Sequence, residues 1–120
     1  MAVLVDTSIW IDHLRSGNDR LAELLHDARV VSHPFVIGEI ACGSLFNRSE
    51  ILALLQALPS APEVSNAEAL MFLETHQLMG CGIGWIDVHL LASARLADLS
   101  LWTRDQRLRV GAERVGIGEQ

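Results

Sequence analysis

The stretch Val3-Leu4-Val5-Asp6-Thr7-Ser8 decides the fold, because an apolar, β-branched run ends abruptly in an acid and two hydroxyls. Continuous apolar character without alternation is typical of a strand covered on both faces, as in a parallel sheet flanked by helices. In open α/β sheets the functional crevice lies outside the carboxyl ends of the strands, which is where Asp6 would lie. The stretch therefore predicts a buried strand that carries a carboxylate into a site. The alternative is that Asp6 or Thr7 only caps a helix that begins near Ile9.

The composition narrows the class of protein. The chain has 120 residues, half of them hydrophobic, which predicts a single folded domain over residues 1–120. It has no run of about 18 uncharged apolar residues and begins with a strand rather than a leader sequence, so we expect a cytoplasmic protein without a membrane segment. All nine basic residues are arginines, and the formal net charge is −6. A polyanionic partner must therefore be met locally, by guanidinium groups that suit phosphate.

Short apolar runs alternate with helical patterns along the rest of the chain. Further strands are predicted at residues 29–32 and 99–103, and a weaker one at residues 110–117, where glycines lower the regularity. The apolar spacing and the turn signals predict helices over residues 9–14, 19–28, 35–46, 49–58, 66–79 and 86–99. This order predicts an α/β fold with a mostly parallel central sheet.

Four acidic residues stand at positions that suit a metal site. Asp6 and Asp105 both follow short apolar strands, and with parallel strands and right-handed crossovers they lie at one edge of the sheet. Glu39 interrupts an apolar helix, where an unpartnered carboxylate would be costly. Asp87 stands in the first turn of a helix, where the helix dipole alone could explain it. Clustered carboxylates repel one another unless a cation neutralises them, and oxygen ligands favour Mg²⁺ or Mn²⁺, which polarise a phosphoryl oxygen and activate water.

These residues resemble those of the PIN-domain ribonucleases, and the chain length and motif order resemble the VapC-type toxins. The resemblance covers essentially the whole chain and is carried by Val5-Asp6-Thr7-Ser8, Glu39, Asp87 and Thr103-Arg104-Asp105. It implies a three-layer α/β/α fold with a short, mostly parallel sheet, and cleavage of RNA that depends on Mg²⁺, for which Mn²⁺ would substitute. It also implies a homodimer and silencing by a cognate antitoxin protein.

The resemblance also implies a role for each of the four acids. Asp6, Asp87 and Asp105 would bind the metal ion as catalytic ligands. Glu39 would complete the catalytic set, either by binding the metal or by orienting its water.

Two hydroxyls and two arginines accompany these acids in the sequence. Ser8 and Thr103 would hydrogen-bond a metal-bound water or an acid, although either could equally cap a helix. Arg104 and Arg107 would contact a phosphate of the RNA, unless they are solvated surface arginines.

The tryptophans and cysteines are expected to be structural. Trp10, Trp85 and Trp102 lie in or beside apolar runs, so we expect core positions rather than stacking on bases. Cys42 and Cys81 lack the spacing of a zinc site, which predicts buried free thiols.

Two other classes of protein have features in common with this sequence. A receiver-type signalling domain has a similar length and an acidic Mg²⁺ pocket, but that family uses a lysine near the end of a late strand, and this chain contains no lysine. The other is a catalytically inactive regulatory domain that keeps the fold. Four repelling carboxylates in one pocket disfavour it, because an inactive protein gains nothing from holding them together.

Overall fold

A computed structural model describes residues 1–118 and contains a three-stranded parallel sheet between layers of helices. The strands are β1 (Val3–Val5), β2 (Val30–Val31) and β3 (Ser100–Trp102), in the spatial order β2-β1-β3. All three residues of the central β1 are fully buried, because helices cover both faces of the sheet. The predicted three-layer α/β/α architecture, with Asp6 following a buried parallel strand, is confirmed.

Seven helices surround this sheet within residues 1–118, one more than the six that were predicted. Their bounds are α1 Thr7–Ser16, α2 Asp19–His26, α3 Pro34–Ala41, α4 Arg48–Ala57, α5 Asn66–Thr75, α6 Trp85–Leu96 and α7 Gln106–Arg114. Helix α6 is the most deeply placed, with every residue from Val88 to Ala94 buried.

Helix α3 is shorter than predicted, ending at Ala41 rather than at residue 46. Gly43 follows in a bend, and Asn47, the N-cap of α4, takes a left-handed backbone conformation with φ of 54° at the end of this connection. Phe46 is left on this connection with 90% of its surface exposed.

The weaker strand predicted at residues 110–117 is wrong. Most of this segment belongs to α7, where Leu108, Ala112 and Val115 recur at helical spacing and are all buried. Only beyond Gly116 does the chain run alongside β3, where the Leu101 N–H donates to the carbonyl of Gly118 at 3.0 Å.

Two predictions of burial are also wrong. Cys42 is exposed and Cys81 is half-buried, although both are free thiols as predicted. Trp10 is buried and Trp102 is partly buried, as expected for core residues, whereas Trp85 is 41% exposed. Among residues 1–118, no helix has the length and apolarity that a membrane crossing requires.

Candidate active site

Asp6 lies where β1 passes directly into α1, at the carboxyl end of the central strand. Its backbone N–H donates to the carbonyl of Trp102 at 2.9 Å, which extends the pairing of β1 with β3 by one residue. Asp6 also occupies the N-cap position of α1, but its side chain accepts no hydrogen bond from the helix backbone. The alternative that Asp6 only caps the helix is therefore wrong.

Two hydroxyls hold one oxygen of this carboxylate. Thr103 donates to Oδ2 of Asp6 at 2.7 Å, and Ser8 donates to the same atom at 3.0 Å. Each hydroxyl oxygen is in turn an acceptor, Thr103 from the backbone N–H of Asp105 at 3.0 Å and Ser8 from that of Arg104 at 3.1 Å. Within residues 1–118 every side-chain hydrogen bond to Asp6 ends on Oδ2, so Oδ1 is left for another partner.

Asp87 is half-buried in the first turn of α6, and three other acids influence its charge. Its Oδ2 accepts a 3.1 Å hydrogen bond from the backbone N–H of Gly84, so it does stabilise the start of the helix. Burial nevertheless raises the pKa of Asp87 above its ordinary value, against the lowering effect of Gly84, and the negative charges of Asp6, Asp105 and Glu39 raise it further. The four predicted acids therefore share one electrostatic environment.

Asp105 has a structural task that the sequence interpretation did not give it. It is the N-cap of α7, where Oδ1 accepts from the backbone N–H groups of Arg107 at 2.9 Å and Leu108 at 3.3 Å. Within the described residues 1–118, no hydrogen bond reaches its Oδ2, so capping and a contact with a cation are compatible.

Glu39 is exposed on α3, which contradicts the expectation of a carboxylate stranded in an apolar environment. The hydroxyl of Thr7 donates to its Oε1 at 2.9 Å. Thr7 thus joins the acidic cluster as a contact that sequence reasoning had considered only as a helix cap. No local signal connects two residues this far apart in the chain.

The carboxylate oxygens of these acids are suitable ligands for a hard cation such as Mg²⁺. The four side chains do not, however, surround a common metal position. Within residues 1–118, no three acidic, histidine or cysteine side chains are close enough to form a complete metal-binding cluster. Repulsion between like charges favours such spacing, and the four carboxylates would have to move closer to share an ion.

The two arginines predicted to meet RNA have different surroundings. Arg104 forms an ion pair with Asp12 at 3.0 Å, with most of its side chain exposed. Arg107 lies across Gly82, where a Cβ atom would come within 2.7 Å of its Cδ and 3.1 Å of its Nε. Gly82 also has a φ of +80°, so only glycine both fits this backbone and leaves room for Arg107.

The sequence itself matches known families. The family model described as PIN domain matches residues 3–113, and the chain therefore belongs to the PIN-domain family. It is also 43% identical over 116 residues to proteins named ribonuclease VapC32 in two strains of Mycobacterium tuberculosis, CDC 1551 / Oshkosh and H37Rv. The alignment covers 96% of this chain and 94% of those proteins. The resemblance to VapC-type PIN-domain ribonucleases is thereby confirmed.

Solved structures share the fold at low sequence identity. The structure of FitAB bound to an IR36 DNA fragment superposes with a TM-score of 0.69 at 17% identity, covering 98% of this chain and 93% of that one. PAE2754 from Pyrobaculum aerophilum gives 0.65 at 15% identity over 99% and 83% of the two chains. FitAcB from Neisseria gonorrhoeae gives 0.62 at 19% identity over 98% and 95%. These likenesses concern the fold alone.

Proposed function

We propose that this chain, as one PIN domain over residues 1–120, is a metal-dependent ribonuclease and the toxin of a type II toxin–antitoxin system. The observation that carries the proposal is the state of Asp6, whose Oδ2 is held by two hydroxyls while Oδ1 takes no hydrogen bond within residues 1–118. Three further acids act on the same environment. The 43% identity to proteins named ribonuclease VapC32 supports RNA as the substrate.

The metal we propose is Mg²⁺, with Mn²⁺ as a substitute, because carboxylate oxygens are the ligands that both prefer. Asp6, Asp87 and Asp105 would bind it, and Glu39 would bind it or orient its water. The raised pKa of Asp87 supports this set, since a carboxylate that burial and then its acidic neighbours make hard to ionise gains most from a nearby cation. Such an ion, when bound, polarises a phosphoryl oxygen and activates water as the nucleophile.

The protein's own groups prepare the site for that chemistry. Ser8 and Thr103 fix the rotation of the Asp6 carboxylate, and their own acceptor bonds keep their protons directed at Oδ2. Arg107 would contact a phosphate of the RNA beside the acids. Arg104 would have to release Asp12 before doing the same, so we expect it to contribute less.

We propose that the antitoxin covers the apolar groove between α1, α2 and α4. This groove has a volume of about 270 Å³ and is lined by apolar side chains that include Trp10, Leu14, Leu25, Ile51, Leu55 and Leu58. A second depression beside the exposed Phe46 shares Leu14 and Ile51 with it, which makes a longer apolar surface. A segment held there could extend an arginine to the acids and neutralise the same charges as the metal.

A homodimer in the cytoplasm completes the proposal. The exposed Leu70 and Met71 on α5 lie apart from this groove in the chain and offer apolar surface for a second copy.

Incubation of the purified protein with total cellular RNA tests the proposed function. We expect new 5′ ends in Mg²⁺ or Mn²⁺ and none in excess EDTA, because the carboxylates alone cannot activate water. Asp6→Asn should abolish cleavage, whereas Asp12→Asn, which removes a carboxylate from the neighbouring ion pair, should retain it. RNA cleavage that persists undiminished in EDTA would contradict the metal mechanism.

The alternative functions make different predictions in the same assay. A catalytically inactive regulatory domain would bind its partner but leave RNA intact in either metal. A receiver-type domain finds no support, because the chain belongs to the PIN-domain family and contains no lysine.

A further inference from the structure

Trp85 is a tryptophan at the surface beside the candidate active site. It is the first residue of α6 and stands two positions before Asp87. Its side chain is 41% exposed, whereas Trp10 is buried and Trp102 partly buried. The indole of Trp85 therefore keeps part of its surface in contact with water, two positions before one of the candidate acids.

The indole of Trp85 packs against a row of three further aromatic rings. Trp85 contacts His89 with ring centroids 4.8 Å apart, and His89 contacts Phe35 at 5.0 Å. Phe35 in turn contacts His33 at 5.2 Å, and both histidines are buried. The exposed indole is therefore the outer end of a four-ring row anchored in the core. A ring held in this way loses little conformational freedom when a ligand stacks on it.

A guanidinium group packs against the loop that leads to Trp85. Arg107, on α7, lies across Gly82, three residues before Trp85, and its Cδ, Nε and Nη1 all approach the position a Cβ would take. A guanidinium group suits a phosphodiester because its planar fork can donate two hydrogen bonds. An exposed aromatic ring and a cation beside the same loop are the two elements of a site for single-stranded nucleic acid.

We infer that Trp85 stacks on a base of single-stranded RNA while Arg107 contacts the sugar-phosphate backbone, which forms a nucleotide subsite beside the proposed metal ligands. The inference rests on the proposed ribonuclease function. Stacking suits a chain with a net charge of −6, because it adds affinity without requiring long-range attraction. It is also tolerant of sequence, since every base presents a π face.

A second copy of the chain is the other candidate to cover Trp85. The neighbouring acids disfavour it, because a protein interface over Trp85 would remove the half-buried Asp87 and its neighbours from water without a partner for their charges. An RNA strand that binds together with a cation avoids this desolvation cost, because the cation neutralises the carboxylates.

Binding of two oligomers that differ only in their bases tests the inference. The probes are a short oligouridylate and a fully abasic ribose-phosphate oligomer of the same length, measured by fluorescence anisotropy in Ca²⁺ with the RNA checked for cleavage. Wild-type protein should prefer the oligouridylate, and Trp85→Leu should reduce that preference about tenfold. Trp85→Phe, which keeps an aromatic ring, should retain most of it.

Matched variants separate stacking from the other contacts. Arg107→Gln should weaken both oligomers alike, because it removes a backbone contact. Leu96→Ala truncates another exposed apolar side chain, at the opposite end of α6, and should change neither affinity. The affinities of the two oligomers are compared on the wild-type protein, so this part of the test does not depend on whether a variant folds.

An unchanged preference in Trp85→Leu would overturn the inference and leave the ribonuclease function standing. If the same variant also alters the mass measured by light scattering, Trp85 is a contact with a second copy. Wild-type protein that binds neither oligomer would instead contradict the proposed function itself.

Discussion

Thr103 donates a 2.7 Å hydrogen bond to Oδ2 of Asp6 although 97 positions separate the two residues in the chain. The bond connects the end of β3 to the end of β1, and the backbone bond from Asp6 to Trp102 runs beside it. Because the Thr103 hydroxyl also accepts from the N–H of Asp105, one side chain orients two of the acids.

Thr103→Val should lower the free energy of unfolding by about 1–3 kcal/mol, because a buried carboxylate oxygen loses a donor and the N–H of Asp105 loses its acceptor. Valine matches threonine in shape, so little of this loss would come from packing. Thr103→Ser keeps the hydroxyl and should remain close to wild type. Urea denaturation in EDTA measures both, and equal midpoints for the valine and serine variants would contradict the prediction.

Asp6→Asn should remove RNA cleavage while leaving the melting temperature in EDTA unchanged or higher. The substitution removes one of several repelling charges and keeps an oxygen that can accept from Ser8 and Thr103. Differential scanning fluorimetry measures it, with Asp12→Asn as the control, because this variant removes the charge of a carboxylate that pairs with Arg104 and accepts from Asn18. A marked loss of stability in Asp6→Asn would favour a structural role for this carboxylate.

The stability of the metal-free protein should depend on pH through Asp87. Burial and then the charges of Asp6, Asp105 and Glu39 raise its pKa, so the folded protein binds this proton more tightly than the unfolded chain does. The free energy of unfolding should therefore fall as the pH rises from about 3.8 through the folded pKa, and stay lower above it. Asp87→Asn should lack this decrease. Parallel profiles of urea midpoint against pH for the two proteins, in EDTA, would refute the assignment.

A second pH dependence of opposite sign should come from His33. Burial lowers its pKa most, His89 lowers it further, and Glu63 opposes them. The folded pKa lies below 6.5, so the stability from neutral His33 is present above pH 6.5 and lost as the pH falls through the folded value. His33→Asn keeps an acceptor for the N–H of Phe35 and should flatten the loss of stability on acidification.

His26→Asn is the control for that experiment, because His26 is exposed at the end of α2. Its urea midpoint should follow wild type at every pH. A His33→Asn protein as sensitive to acid as wild type would show that the acid response arises elsewhere.

The antitoxin should compete with the metal for the acids. Calorimetric titration of Mn²⁺ should give weaker binding to the toxin–antitoxin complex than to the toxin alone, since both neutralise the same charges. Unchanged affinity would rule out an arginine from the partner in the pocket. The groove is tested separately by Leu54→Arg, which places a charge at its rim and should weaken antitoxin binding, whereas Leu96→Arg should not.

The sequence predicted those parts of the molecule that depend on local pattern. The buried β1 and the acids that follow strand ends agree with a continuous apolar run and with the geometry of parallel sheets, so the architecture and the position of Asp6 at the end of β1 could be expected. The hydroxyls of Ser8 and Thr103 were also placed beside an acid in advance, although their hydrogen bonds with Asp6 required the structure.

Features that depend on tertiary packing escaped prediction. The exposure of Trp85 and Cys42 is decided by which elements happen to cover them, and no spacing in the sequence records that. The contact of Thr7 with Glu39 joins residues 32 positions apart. Part of helix α7 was mistaken for a strand because Val115 and Ile117 suggested an extended run, whereas Leu108 and Ala112 are buried at helical spacing within the helix.

The bonds that join the two ends of the chain also govern when the site comes into being. Asp6 and Ser8 leave the ribosome well before their partners Thr103 and Arg104, which follow 97 and 96 positions later in the chain. Until β3 emerges, one flank of β1 stays unpaired and the Asp6 carboxylate lacks its Thr103 donor, because long-range strand pairing must wait for its sequence. We therefore expect a polypeptide whose synthesis stops before β3 to carry the acid without the complete candidate site.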